Sequence, residues 1–241
     1  MKVVAFVVTE GRTPQDALAI MNRAWPAYAE EMDRRGLWRL GRELDLPDTA
    51  VTVRVRDGET LVTDGPFAET KEFIAGFDVL DCVDLDEAIA VEAKNPVAQF
   101  HPFELRPFPD GLRLGPGASA FGQGDDTAGR PYLLTGWVGE MPTDSPDDQA
   151  FTQECDAWRQ ELEARGILVL GNALGGPETA RTMRPDHGEM RLTDGPFLHT
   201  TEFIASVDVV SCSDRQQAIE LAAGHPLARY HAIEVRPFYS E

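Results

Sequence analysis

Thr63-Asp64-Gly65-Pro66-Phe67 occurs again, unchanged, as Thr193-Asp194-Gly195-Pro196-Phe197, and the same offset of 130 runs through much of the chain. Glu72-Phe73-Ile74-Ala75 falls on Glu202-Phe203-Ile204-Ala205, and Cys82 falls on Cys212. Near the end His101 meets His231, and Glu104, Arg106-Pro107-Phe108 meet Glu234, Arg236-Pro237-Phe238. No gap is needed, so the chain is an internal duplication. A period this long, present twice, describes two domain-sized units and not a solenoid. The expected boundaries are 1–108 for the first copy, 109–130 for a flexible linker and 131–241 for the second copy.

Each copy reads as the same order of elements. Lys2 to Val8 is a continuous apolar run, suited to a strand buried on both faces, and Tyr132 to Val138 is its copy. A helix follows with one apolar stripe, Leu18, Met21, Trp25, Tyr28 and Met32, matched by Phe151, Cys155, Trp158 and Leu162. Pro26 should kink the first version, because it removes a backbone donor. Second strands are expected over Leu37–Leu44 and Ile167–Leu174. Alternating runs then flank Asp57-Gly58, a strong two-residue hairpin signal. In the second copy Pro185 and His187-Gly188 predict a shorter or looser hairpin. A third strand, a helix opened by a capping box (Asp84 with Glu87, Asp214 with Gln217) and a short last strand complete each unit.

The order is β-α-β, an inserted hairpin, then β-α-β, the split βαβ arrangement of a ferredoxin-like α+β fold. Between the copies, residues 109–130 are rich in Gly, Asp, Ser and Ala. A flexible linker of that length spans ~25 Å at about 5–6 Å × √n, enough for the halves to pack on each other.

Composition excludes several function classes. A net charge of −19 with no basic block disfavours nucleic acid and anionic membrane as partners. No apolar run approaches a membrane span, and no leader pattern is present at Met1. The three cysteines are odd in number, have no close pair and show no zinc spacing, which fits a cytoplasmic protein with buried thiols.

The run Val62 to Glu72, followed by Asp84-Leu85-Asp86-Glu87-Ala88 and Glu104-Leu105-Arg106-Pro107-Phe108, resembles the DGPF branch of the YCII-related domain family. The second copy matches less well, reading Leu198-His199-Thr200-Thr201-Glu202 where the motif has Ala-Glu-Thr-Lys-Glu. The resemblance implies ferredoxin-like units whose sheets pair face to face, here as a pseudo-twofold dimeric α+β barrel made within one chain. It also implies a cleft in which a His–Asp pair has been proposed to act, and similar barrels include cofactor-free isomerases of the muconolactone type. Members of this branch are often encoded beside extracytoplasmic-function sigma factors.

Strand geometry ranks the candidate residues. In a ferredoxin-like unit Glu72, which begins the third strand, and His101, which begins the fourth, lie at one end of the sheet. Their backbones should be roughly 10 Å apart at ~4.8 Å per strand. The Asp-Gly-Pro-Phe loop leads into the third strand and is expected at that end too. His101, Asp64 and Glu72 are therefore the candidate catalytic residues. His101 would titrate near neutrality, whereas Asp64 is also suited to accept the backbone donors of a turn. Lys71, Asp78, Asp194, His199, Glu202, Asp208 and His231 are candidate ligand-binding positions. Lys71 could neutralise an anion, but Thr201 replaces it in the second copy, and His199 replaces Glu69. Two sites, if both exist, would not be equivalent.

Two functions follow. One is a cofactor-free, isomerase- or lyase-like enzyme that moves a proton on a small molecule bound between the two halves. The other is a non-catalytic interaction module, for example a regulatory partner of a sigma factor. The halves are expected to pair with each other, with further homo-oligomerisation open.

Overall fold

The computed structural model describes residues 1–11, 13–68, 70–122, 126, 129–139, 148–198 and 201–240. The first copy supplies β1 (Lys2–Thr9), α1 (Gln15–Arg35), β2 (Trp38–Glu43), β3 (Val51–Arg56), β4 (Glu59–Asp64), β5 (Phe73–Asp81), α2 (Leu85–Glu92) and β6 (Phe103–Pro107). The connection holds β7 (Arg113–Leu114) and α3 (Ala118–Gly122). The second copy supplies β8 (Arg130–Val138), α4 (Asp148–Ala164), β9 (Leu168–Ala173), β10 (Arg181–Asp186), β11 (Glu189–Asp194), β12 (Phe203–Cys212), α5 (Arg215–Gly224) and β13 (Ala232–Pro237).

Two compact units result, each built on an antiparallel sheet, and each is ferredoxin-like. The first unit comprises Met1–Glu43, Thr70–Gly111 and Gly175–His199, and its sheet runs β11-β10-β6-β1-β5-β2. The second comprises Leu44–Glu69, Leu112–Leu174 and Thr200–Glu241, and its sheet runs β4-β3-β13-β8-β12-β9-β7. The units therefore differ from the sequence copies in one respect: each copy's hairpin is paired in the sheet of the other copy. β10 lies against β6 with Thr182 opposite Glu104, and β3 lies against β13 with Thr52 opposite Glu234. Duplication made the two docking edges alike, so nothing in the residue pattern of one hairpin distinguishes its own sheet from its twin's.

The exchanged arms are part of the cores. Val51 and Val53 are buried in the second unit among Tyr132, Leu134, Leu227 and Ile233. Met183 is buried in the first among Ala5, Leu80, Phe103 and Leu105. Each arm is also latched through its motif. Phe67 donates its backbone N–H to Glu234 (3.0 Å), and Phe197 donates its own to Glu104 (2.9 Å). Glu104 is paired with Arg106 and Glu234 with Arg236, both at 3.2 Å, and all four side chains are buried. Arg106 also donates to the carbonyl of Gly175 (Nε, 3.1 Å). Gly65 and Gly195 sit at φ of 97° and 94°, and their carbonyls accept from Thr52 and Thr182. The repeated words Thr-Asp-Gly-Pro-Phe and Glu-x-Arg-Pro-Phe are thus the two sides of one fastening.

Three local expectations change. The second hairpin is as long as the first, because Asp186 and Glu189 flank its turn as the hydrogen-bonded pair, so the next residue, Pro185, faces outward where β10 has passed the end of β6. Of the expected stripe on α1, which includes Pro26 within its span, only Met32 is fully buried; Leu18 is 38% exposed. The connection is not wholly free chain: β7 extends the second sheet beside β9, and Phe121 is buried edge-on to Phe238. Phe121 was the apolar residue that a reading of the segment as plain linker passed over. No helix among the described residues is long and apolar enough to cross a membrane.

Candidate functional site

Register brings three strand ends together in the first unit. β1 pairs with β5 as far as Thr9 opposite Phe73, which sets Glu72 beside the end of β1. β1 pairs with β6 as far as Val7 opposite Phe103, and Val8 donates to the carbonyl of Pro102 (2.8 Å), which sets His101 on the other flank. β10 pairs with β6 as far as Met183 opposite Phe103, so its next residue, Arg184, arrives at the same place. Thr9, Glu10, Gly11 and Pro14 close the side next to α1. The result is an open pocket of about 460 Å³ that Glu72, Arg184, Phe100, His101 and Pro102 also line.

The chemistry of its polar groups is well defined. The His101 Nε2 atom is 2.9 Å from the Thr13 hydroxyl, which can donate or accept and so is compatible with either neutral tautomer. Burial lowers the His101 pKa, so the ring is neutral at pH 7. The carboxylate of Glu72 grips the Arg184 guanidinium with both oxygens, one pair at 3.1 Å. Glu72 is thereby committed as a clamp. Its hydrogen bonds raise the Arg184 pKa further, and the fork is held by Glu72 at the pocket lining. An imidazole base next to a fixed cation is an arrangement suited to taking a proton while negative charge grows nearby.

Glu72 and His101, the two candidates that strand geometry placed at one sheet end, line this pocket together. Asp64 does not line it. It belongs to the second unit, where its carboxylate is 94% exposed at the end of edge strand β4 and pairs with Arg215 (3.4 Å). The expectation that the motif loop shares the histidine end fails because β4 and β11 run back to the far end of their sheets: Asp64 lies opposite Val51, which pairs with Val235, and Asp194 opposite Arg181, which pairs with Leu105. Asp194 is likewise at an exposed strand end, paired with Arg181 at 3.1 Å, and Lys71 is exposed outside the pocket. Asp78 and Asp208 are buried, but among helices: Asn95 donates to Asp78 (3.2 Å), and Arg159 of α4 donates to Asp208 (2.6 and 3.1 Å). They are anchors within the fold. His199 lies outside the described residues.

The second unit does not repeat the pocket residue for residue. His231 is half-buried and its Nδ1 receives the Gly139 N–H at 3.5 Å; burial and then Arg56 lower its pKa. Arg56 is pinned to the carbonyls of Ala228, Arg229 and Tyr230, where the first unit has Asp186 at the matching position. Arg54, the match of Arg184, lies over the Phe67 ring, and Glu202 accepts from Thr201. The match of the Glu10–Pro14 wall falls at 140–144, outside the described residues.

Arg184 is the pocket-lining residue that sequence reasoning missed. Its signal was the same residue at the matching position, Arg54, in an arm read as structural. Among the described residues no group of three or more His, Cys, Asp or Glu is placed to hold a metal ion.

The YCII-related domain model matches the sequence twice, over residues 1–108 and 135–240. The chain belongs to the YCII-related family. A curated relative of this YCII-related protein, an uncharacterised protein of Rhizobium meliloti (strain 1021), is 48% identical over 65 residues. That match covers 26% of the present chain and 52% of the relative, so the chain spans about half the length of the curated relative it matches. Among solved structures, a protein provisionally assigned as a chlorite dismutase superposes over 99% of this chain and 94% of its own. That superposition has a TM-score of 0.39 and 8% identity, so it carries no argument about this YCII-related protein's pocket.

Proposed function

We propose that the pocket of the first unit binds a small carbonyl compound and that His101 moves a proton on it without a cofactor. In this reading His101 takes a proton from the carbon next to the carbonyl and Arg184 stabilises the resulting enolate oxygen. For a β,γ-unsaturated carbonyl compound the enolate is a dienolate, and the proton returns to its γ-carbon as the double bond moves into conjugation, so atoms balance as an isomerisation. Glu72 and Thr13 position Arg184 and His101. One observation carries the reading: a buried, neutral histidine and a clamped arginine line a single open pocket of ligand size.

The test is a carbonyl-compound screen by thermal shift, followed by affinity and turnover in His101→Ala and Arg184→Met. A hit whose affinity or turnover is unchanged in both variants removes the proposal. His101 acts as a base only when neutral, so activity should persist to somewhat below pH 6.5, the ordinary histidine value, and then fall. A hit bound but never turned over would reduce the reading to binding alone. Recovery of a sigma factor, with no small-molecule hit, would move it to the interaction module.

The Asp-Gly-Pro-Phe runs support placement in the DGPF branch. The three buried, unpaired cysteines support a reducing, cytoplasmic setting, which cell fractionation would check. The net charge of −19 supports a protein that avoids nucleic acid and anionic membranes; a gel shift or vesicle pelleting at low salt would overturn it.

A further inference from the structure

The first unit has a second opening, on its helical face. A groove of about 300 Å³ lies between α1 and the end of α2, floored by Ala24, Ala27, Met32, Val91 and Pro96 with the Tyr28 ring at one side. In the second unit other side chains occupy the matching place. Trp158 stands for Tyr28 and packs edge-on against His225, ring centres 4.6 Å apart. Glu154 of α4 is joined by an ion pair to Arg229, in the turn after α5. The first unit has Ala24 and Gln99 at those two positions, so that bridge cannot form and the groove stays open.

The charges at its mouth are unequal. Arg35 is held by Glu87 (2.8 Å), and Glu31 is held by Arg34. The ammonium of Lys94, one of three lysines in the chain, has no side-chain hydrogen bond or ion pair among the described residues, although it lies near enough to help lower the Glu31 pKa, and Gly224 replaces it in the second copy. Behind Tyr28 the phenol donates to Glu92 (3.4 Å), whose carboxyl is pushed well above the usual range by burial and then by Asp78, which disfavours a negative charge there. Beyond about 8 Å the acidity of the chain is screened at physiological salt, and nearer the groove Glu31 and Arg35 are each paired, so the Lys94 ammonium is its outstanding positive charge.

We propose that this groove is a binding site for a small amphipathic carboxylate, a one-ring aryl acid or a short alkyl acid. The apolar body lies on Ala27, Met32 and Val91, and the carboxylate meets Lys94. A volume of about 300 Å³ is at the lower end for ligand pockets, which restricts the body to about one ring.

Titration calorimetry on the full chain would use phenylacetate, its neutral amide and the cation phenethylamine. Phenylacetate should bind at one site per chain, and the amide and the amine at least tenfold more weakly. Lys94→Met should weaken phenylacetate tenfold or more, and Lys94→Arg should restore it, which separates lost charge from lost folding. The double variant Ala24→Glu/Gln99→Arg, which rebuilds the bridge of the second copy, should abolish binding. The absence of saturable phenylacetate binding, equal or tighter binding of the amine, or unchanged affinity in Lys94→Met and the double variant would each overturn the site.

Discussion

Asp78 and Asp208 stand at the same place on the third long strand of their units, and their surroundings are opposite. In the second unit Arg159 grips Asp208 with two hydrogen bonds, and His225 lies 3.7 Å away with Trp158 packed on its ring. In the first unit Ala29 stands for Arg159 and Glu92 for Ala222. There Asn95 bridges two carboxyls, donating to Asp78 and to Glu92 (2.8 Å). Burial would push the Asp208 carboxyl up, but Arg159 overrides that and holds it below the usual range. Burial pushes Glu92 well above it, and Asp78 adds to the push. One unit buries a charged pair and the other a carboxyl whose neutral form burial favours, so the duplicated chain anchors the same point in two electrostatically different ways.

The largest expected effect comes from breaking the charged version. Arg159→Met leaves Asp208 ionised and buried, and should cost about 3–5 kcal/mol of stability in urea unfolding. Adding Asp208→Leu should recover most of that loss, since a buried pair replaced by apolar groups is often neutral or better. A double variant as unstable as Arg159→Met alone would mean that the pair specifies the packing of α4 and does more than balance charge.

The second effect sharpens the contrast through pH. Glu92 has a raised folded pKa, so its contribution is fully present below the ordinary value of 4.5 and is lost as pH rises through the folded pKa. Asp208 has a lowered folded pKa, so its contribution is present above 3.8 and is lost as pH falls through the folded pKa. Hydrogen exchange resolved by segment should therefore show α2 and β5 losing protection first toward alkaline pH, and α4 and β12 first toward acid. Glu92→Gln should remove the alkaline trend and leave the acid one unchanged. Opposite trends, or none, would break the comparison.

A third prediction concerns copies against units. A protease site placed among residues 123–125, cut in the folded full chain, should leave two fragments that co-elute at micromolar concentration. Each sheet contains strands from both fragments, and each arm is fastened by a buried Glu–Arg pair. Fragments that separate without denaturant would show that the exchanged arms contribute little to association.

The sequence was informative wherever a local rule decided the outcome. Apolar runs marked β1 and β8, Asp84 and Asp214 do cap their helices, and Asp57-Gly58 does turn the hairpin. Strand order alone placed Glu72 and His101 at one sheet end. The choice between two equal docking edges was not legible, because it depends on how the chain connects and not on residue type. Arg184 followed from that choice, whereas the error over Asp64 came from taking the motif loop to the histidine end when β4 and β11 both finish at the other. Asp78 and Asp208 misled for a different reason. A polar residue in an apolar strand can face a ligand or a buried partner, and Arg159 and Asn95 lie too far away in sequence to reveal which.

The smallest expected effect falls on the residue that the repeated motif made most prominent. The Asp64 carboxylate is almost fully exposed, and its contact with Arg215 at 3.4 Å is a surface ion pair of a kind worth about 0–1 kcal/mol. Its neighbour is different. Gly65 sits at φ 97°, which a side chain rarely adopts, and its N–H reaches the carbonyl of Ala50 at 2.9 Å. Asp64→Ala should therefore shift stability by less than about 1 kcal/mol, whereas Gly65→Ala should cost about 1–3 kcal/mol by straining the turn that delivers Phe67 to Glu234. The matching pair at Asp194 and Gly195 should behave alike, since Gly195 has φ 94° and bonds Ala180 at 3.0 Å. Thermal melts of the four variants give the order directly. If either aspartate cost as much as its glycine, or Asp64→Ala abolished turnover with stability intact, the motif would need a role beyond fastening the arms.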